Sequence, residues 1–491
     1  MVKRWNGICD ADKKIYIYGA GNYGKCLYSY LRITNISNSI TAFLVSSYKG
    51  NTLQLYGIPV LLFEDVKKGF TDRDIIIIAI KDYNVLNNNV LCELNIPVYY
   101  LDQEFYQKIP GFICDYCKKK PLVNNKLFFS CFMGRGYTCN CKYIVQHVIE
   151  SGVDVDIVWE LGPGMENNLP ASVRTVEIGS PEYYLEWYSS KIIVCNNGVA
   201  NSMRKREGQY IIDTWHGIGP TKKIGIEVNC DKDNTEAKVF FEKIYSQVDL
   251  MTAASDLCVR NYREAFLYKG EIIKSGYPRN DIFFRKDKEQ LRNKIRENIG
   301  IISSELMVLY APTYRYEQRN GGELSDMRQQ YEFNWSEVKG ALFNRFNALP
   351  HLVYRFHHVT DRGLNLHGLY EDGIDATDYP DMQELLLAAD VLITDYSSSM
   401  WDFSLTRKPV FLFYNDAEEV EKEVGFYRYP DEYPYPKGHT TQELCTAIRE
   451  FDNDDYQKAL NQWFAEYGTY DDGHASERVV ERIMNVIAHA E

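Results

Sequence analysis

The residues best suited to chemistry stand at the ends of apolar runs. Asp213-Thr-Trp-His-Gly-Ile-Gly-Pro220 follows Tyr210-Ile-Ile212 and sets His216 between an indole and a glycine, where a strand should give way to a loop. Tyr354-Arg-Phe-His-His358 ends a second run. Leu392-Ile-Thr-Asp-Tyr-Ser-Ser-Ser-Met-Trp-Asp402 ends a third in a hydroxyl-rich turn. A histidine titrating near neutrality can take a proton from an alcohol. Arginine, histidine and serine hydroxyls at strand ends can hold a diphosphate and stabilise the charge that develops on it.

Each of these has a plainer reading. His216 could be a satisfied core histidine, but its Gly- and Pro-containing loop lets backbone approach a ligand. Arg355 and His357 alternate with Tyr354 and Phe356. On an extended strand they share one face, which suits one anionic ligand, and His358 points away. Thr394 to Ser399 leads into an apolar helix, Met400 to Leu405. Hydroxyls and N–H groups at a helix N-terminus attract anions, and the same geometry serves as an ordinary serine cap.

These residues need a scaffold, and 491 residues are too many for one ordinary core, so two or three domains are expected. Hydrophobic residues at 45% and charged residues at 25% suit a soluble globular chain. A formal net charge of −13 argues against a nucleic-acid partner, whose affinity rests on clustered Lys and Arg. Met1-Val-Lys-Arg-Trp-Asn6 is not followed by an apolar leader region, and no run approaches the ~18 apolar residues of a membrane span. The expected location is therefore the cytoplasm. The twelve cysteines are scattered, which suits reduced thiols. Cys114, Cys117, Cys139 and Cys141 only half fit a zinc pattern.

Apolar runs place the scaffold. Lys14 to Tyr18, Ile40 to Val45, Asp74 to Ile80 and Val98 to Leu101 read as parallel strands of a small first domain. Gly19-Ala-Gly-Asn-Tyr-Gly24 between the first strand and a helix is the Gly-x-Gly-x-x-Gly phosphate turn. A dinucleotide site wants an acid at the end of the second strand, where this chain has Val45-Ser-Ser47, so tight NAD(H) binding is not expected. A connector is expected from Pro110 to about Asn125. Strands Leu127–Ser130, Val153–Trp159, Lys191–Cys195, Gln209–Ile212, Asp249–Thr252 and Ile272–Ser275 form a second α/β unit, with a helix from Tyr143 to Ser151. After a charged helix, Asp287–Asn298, a third unit uses Met307–Tyr310, Leu352–Tyr354, Val391–Thr394 and Val410–Phe413. It ends in an amphipathic helix, Glu477–Ala490, with Ser476 placed to cap it.

Five motifs in order carry a resemblance: Trp215-His-Gly217, Gly276-Tyr-Pro-Arg-Asn-Asp281, Tyr310-Ala-Pro-Thr-Tyr-Arg315, Arg355-Phe-His357 and Ile393-Thr-Asp-Tyr-Ser-Ser398 with Phe403. From about Lys126 onward the chain resembles the CDP-glycerol glycerophosphotransferases, the teichoic-acid and capsule polyol-phosphate transferases. The resemblance implies an α/β GT-B fold, two Rossmann-like doubly wound domains facing a cleft, here preceded by the small Rossmann-like domain. The implied division is 1–110, a connector 111–125, an acceptor-side domain 126–298 and a nucleotide-donor domain 299–491.

The resemblance also implies roles. His216 matches the general base, and His357 a position near the pyrophosphate. Gly217, Ile218, Gly219 and Pro220 lie along the donor. Arg279, Pro312, Thr313, Arg355 and Phe356 match donor-site positions, Ser397 and Ser398 phosphate-binding hydroxyls, and Asp402 the nearby acid. The donor would be CDP-glycerol or CDP-ribitol, and the acceptor a hydroxyl of a cell-surface glycopolymer or its lipid-linked precursor. No metal ligands and no tightly bound cofactor are implied, with Mg2+ left open, as is peripheral contact with the inner face of the cell membrane. A nucleotide-sugar glycosyltransferase and a non-catalytic scaffold are the alternatives. The family's Trp-His-Gly-Thr-Pro-Leu-Lys run reads Trp-His-Gly-Ile-Gly-Pro-Thr-Lys here, which leaves acceptor contacts and polyol choice open.

Overall fold

The computed structural model describes residues 3–7, 13–35, 39–82, 94–165, 168–200, 203–217, 221–228, 235–302, 304–313, 331–357 and 369–489. The chain forms two compact units. One comprises Met1–Gly136, Asp154–Ile193 and Ala200–Tyr210; the other comprises Tyr137–Val153, Val194–Val199 and Ile211–Glu491.

The first unit opens with strands β1 (Lys3–Arg4), β2 (Lys14–Tyr18), β3 (Ile40–Val45), β4 (Gln54–Leu55), β5 (Ile58–Leu62), β6 (Asp74–Ile78) and β7 (Val98–Tyr100), in the sheet order β1-β7-β6-β2-β3-β5-β4. Every pairing is parallel except β4 on β5. Asp74 to Ile78 is buried throughout, as a strand covered on both faces must be. The order reverses at β2, and the Gly19–Gly24 turn follows it. Gly19 has φ +119, and a Cβ there would lie 2.5 Å from the Ala79 carbonyl oxygen. A Cβ on Gly24 would lie 1.9 Å from the Gly19 oxygen. Both glycines are thus required by packing alone.

The same unit holds β8 (Val123–Ser130), β9 (Asp156–Leu161), β10 (Val173–Glu177) and β11 (Ser190–Cys195), the last two residues of which belong to the other unit, ordered β10-β9-β8-β11. Its two sheets are tied by the Tyr56 hydroxyl, which donates to the Ile178 carbonyl at 2.8 Å, and by Ser29, which donates to Gly179. A helix, Gln103–Cys117, runs through Pro110 and through half of the expected connector. Asp102 caps it by accepting from the Phe105 N–H at 2.7 Å, and Ile109, Ile113, Cys114 and Cys117 bury its inner face. That buried face outweighs the one hydrogen bond a proline removes.

The second unit contains β12 (Tyr210–Asp213), whose first residue belongs to the other unit, then β13 (Leu250–Thr252) and β14 (Glu271–Ile273), parallel and in order. It also contains β15 (Leu306–Tyr310), β16 (Pro350–Tyr354), β17 (Ile374–Asp375), β18 (Val391–Thr394), β19 (Val410–Phe413) and β20 (Lys437–Gly438), all parallel, ordered β17-β16-β15-β18-β19-β20. The order reverses between β15 and β18, where ligands bind in such sheets. The last helix, Ala475–Ala488, packs on the helix Cys139–Glu150 and on the turn Pro278–Phe283. Ser476 does not cap it. The Asp281 carboxylate does, accepting from the Ala475 and Ser476 N–H groups at 3.0 and 2.7 Å.

Candidate active site

The site grows from the end of β12. After Asp213 the chain turns sharply, and Trp215 takes a left-handed φ of +53. That conformation is costly for a bulky side chain, so something must hold it. Asp213 Oδ1 accepts from the Trp215 N–H at 2.8 Å. The successive carbonyls are held from outside the turn. Thr252 Oγ1 donates to Thr214 at 3.2 Å, and Asn140 Nδ2 donates to Trp215 at 2.9 Å. Arg279 Nη1 donates to His216 at 2.7 Å, and the Tyr277 hydroxyl to Gly217 at 2.8 Å. Four side chains thus hold the successive carbonyls of the turn that carries His216.

The imidazole is fixed as well. His216 Nδ1 lies 2.6 Å from the Asn196 carbonyl oxygen. A carbonyl only accepts, so Nδ1 carries the proton and Nε2 is the basic nitrogen. Burial pushes the pKa down to about 4; the Asn196 contact works against that shift, and the Arg279 charge adds to it. The ring is neutral at physiological pH, the form a general base requires.

Arg279 links this turn to the serine turn. Its Nη2 lies 2.7 Å from Asp402 Oδ2. Burial opposes its charge, Asp402, Cys139 and Tyr277 together outweigh that, and the pKa is raised. Asp402 also accepts from Asn280 Nδ2 at 3.1 Å and from Gln383 Nε2 at 3.0 Å. It sits in the helix Ser399–Ser404, just past Ser397 and Ser398. A Cβ on Gly217 would lie 3.9 Å from Ser398 Oγ, so the histidine and serine turns abut. Ser399 Oγ donates to Ser397 Oγ at 3.0 Å. Thr313, after β15, donates to Asp395, after β18, through its N–H at 2.9 Å and its hydroxyl at 2.8 Å. Pro312 beside it is buried.

The other expected residues follow β16. That strand ends at Tyr354, so Arg355 and His357 do not lie on it and strand alternation does not set their directions. Arg355 Nη2 donates to the Tyr379 carbonyl at 3.0 Å, while its Nε is buried without a hydrogen-bond partner. Burial lowers its pKa, with the Asp381 carboxylate opposing. A buried guanidinium in that state favours an anion beside it. Phe356 packs its ring 5.4 to 6.1 Å from those of Tyr354, Tyr331 and Tyr310. His357 is half-buried. Ile218, Gly219, Pro220, Tyr314, Arg315 and His358 lie outside the described residues.

Comparisons with known proteins place the chain among relatives. The model of the CDP-Glycerol:Poly(glycerophosphate) glycerophosphotransferase family covers residues 112–485. The chain belongs to this family. Among curated family members it is 28% identical to a teichoic acid poly(glycerol phosphate) polymerase of Staphylococcus epidermidis, across 75% of this chain and 51% of that protein. It is 28% identical to the polymerase of the same name from Bacillus spizizenii, across 74% of this chain and 92% of that one. The chain therefore spans about half the length of the first relative and nearly all of the second. A solved structure of the wall teichoic acid polymerase TagF, soaked with CDPG, superposes with a TM-score of 0.67 at 25% identity, covering 78% of this chain and 94% of that one.

Sequence reasoning missed the residues that hold the family's motifs in place. Asn140 accepts from the Arg279 N–H at 3.1 Å as well as holding Trp215, yet only the flanking cysteines drew attention. Asn196 lies after β11 with no distinguishing pattern. Among the described residues no group of three or more His, Cys, Asp or Glu side chains is placed to hold a metal ion. Among them, too, no helix is long and apolar enough to cross a membrane.

Proposed function

We propose that the protein transfers a polyol phosphate, glycerol phosphate first among them, from a CDP-polyol to a hydroxyl of a cell-surface glycopolymer or its lipid-linked precursor. The observation that carries this reading is His216, its Nδ1 proton fixed on Asn196 and its turn abutting Ser398. The acceptor oxygen attacks the β-phosphorus in line, its proton passes to His216 Nε2, the bond from that phosphorus to the bridging oxygen breaks, and CMP leaves. Positioning and charge stabilisation do most of the work in such a reaction. Arg355, with its unpartnered Nε, and the hydroxyls of Ser397 and Ser398 receive the diphosphate at the switch point, with Thr313 and Pro312 beside them and His357 near the pyrophosphate. Gly217 to Pro220 lie along the donor. Arg279 and Asp402 act on the donor through the His216 carbonyl and the serine helix.

The finer architecture proposed is GT-B, with lobes 126–298 and 299–491 preceded by domain 1–110 and connector 111–125. The family match and the chain's likeness to TagF support it. The reaction is placed at the inner face of the cell membrane, where a lipid-linked acceptor would be met. Incubation with CDP-glycerol, CDP-ribitol and UDP-sugars, scoring nucleotide release with candidate acceptors, tests the reading. CMP release from a CDP-polyol supports it; turnover of UDP-sugars alone would replace it with glycosyl transfer.

A further inference from the structure

Asp213 is fully buried, and each of its oxygens serves a different segment. Oδ1 accepts from the Trp215 N–H at 2.8 Å, closing an Asx-type turn that compensates the left-handed Trp215. Oδ2 accepts from the Gly198 N–H at 2.9 Å. Gly198 is two residues past Asn196, whose carbonyl lies 2.6 Å from His216 Nδ1. One side chain therefore braces both the turn that carries the imidazole and the segment whose carbonyl fixes its tautomer.

We infer that Asp213 is the positioning residue that presets His216 as a base, by holding the histidine turn and the Asn196 segment in one fixed relation. The inference rests on the reading of His216 as the base. A carboxylate is the group the place requires, because both oxygens must accept. An asparagine would set an NH2 group against one of the two N–H groups. Misplacing a reacting group by an ångström costs on the order of 100-fold in rate, so the brace is felt in turnover more than in donor binding.

The test uses the full chain carrying 15N-labelled histidine. The His216 signals are identified by their loss in His216→Asn. In the unaltered protein they should show Nδ1 protonated and Nε2 bare. Asp213→Asn should give a mixture of tautomers and lower kcat by ~10- to 100-fold, with KM for CDP-glycerol within about twofold. Asp213→Ser keeps an acceptor for the Trp215 N–H alone and should fall between. An unchanged tautomer, an unchanged kcat, a KM that rises in step with the loss of kcat, or failure of both variants to fold would overturn the proposal. If the unaltered protein turns over neither CDP-glycerol nor CDP-ribitol, the reading of His216 as base fails, and the tautomer measurement alone decides the brace.

Discussion

Arg279 joins two carbonyl-side partners through one guanidinium: Nη2 lies 2.7 Å from Asp402 Oδ2, and Nη1 lies 2.7 Å from the carbonyl oxygen of His216. The pair is buried, so losing one member leaves an uncompensated charge. Arg279→Met should cost about 3–5 kcal/mol in denaturant unfolding. Arg279→Met with Asp402→Asn should recover much of that stability. It should not recover CMP release, because the His216 carbonyl still lacks its donor. Recovered turnover in the double variant would show that Arg279 acts on stability alone.

His216→Ala should leave donor binding largely intact and cut CMP release by at least ~100-fold, the usual worth of a general base. The pH dependence has a defined direction. Burial lowers the imidazole pKa from 6.5 to about 4, so its share of stability is present above 6.5 and is lost as pH falls toward 4. The acid limb of kcat/KM should follow the unliganded enzyme and lie low. A bound diphosphate is anionic and raises the pKa, so the acid limb of kcat should lie at higher pH. Coincident limbs, or near-normal turnover of the alanine variant, would remove His216 from the role.

In the first unit, Glu160 is buried and accepts from Ser130 Oγ at 2.5 Å. Burial raises its pKa from 4.5 to about 8. Here the folded value exceeds the unfolded one, so this group favours the folded state below 4.5 and that contribution is lost as pH rises to 8. Glu160→Gln should flatten the window and raise stability at its alkaline end by ~1–3 kcal/mol. Unfolding curves across the range check this; an equal effect at both ends would mean that Glu160 ionises normally.

The outcomes differ by how local their causes are. The buried parallel strands were legible, since apolar runs such as Ile75 to Ile78 and Val391 to Thr394 have no other stable place. The helix Gln103–Cys117 was hidden by Pro110 and Gly111, although the Asp102 cap signal stood in plain view. The cap of the last helix was not legible, because its carboxylate comes from Asp281, remote in sequence. The strand face expected for Arg355 and His357 fails because β16 stops at Tyr354. At the site, the side chains were legible by type. Asn140 and Asn196 were not, because their partners are a backbone carbonyl and an imidazole brought close only by the fold.

The glycine turn of the first domain yields a negative prediction. Gly19 and Gly24 are explained by close backbone approach, and no acid ends β3. NAD(H) should therefore not bind tightly. Calorimetry on the full chain giving a micromolar dissociation constant for either dinucleotide would reverse this.

Donor affinity should divide between Arg355 and Ser398 in unequal shares. Both follow strands that flank β15 in one sheet, β16 and β18, and Ser398 abuts the His216 turn through Gly217. Arg355 keeps its Nε buried and unpartnered, so a phosphate oxygen would give it a charge-assisted partner. Charge-assisted contacts to phosphate are the strong ones, and Arg355→Ala should weaken CDP-polyol or CMP binding by ~2 kcal/mol or more. Ser398→Ala removes a neutral hydroxyl and should cost on the order of 1 kcal/mol. Titration calorimetry with CMP and CDP-glycerol measures both. A nucleotide-bound structure then decides the place: phosphates beside Ser397 and Ser398 agree with the assignment, and phosphates beside Gly19 to Gly24 would move the active site to the first domain.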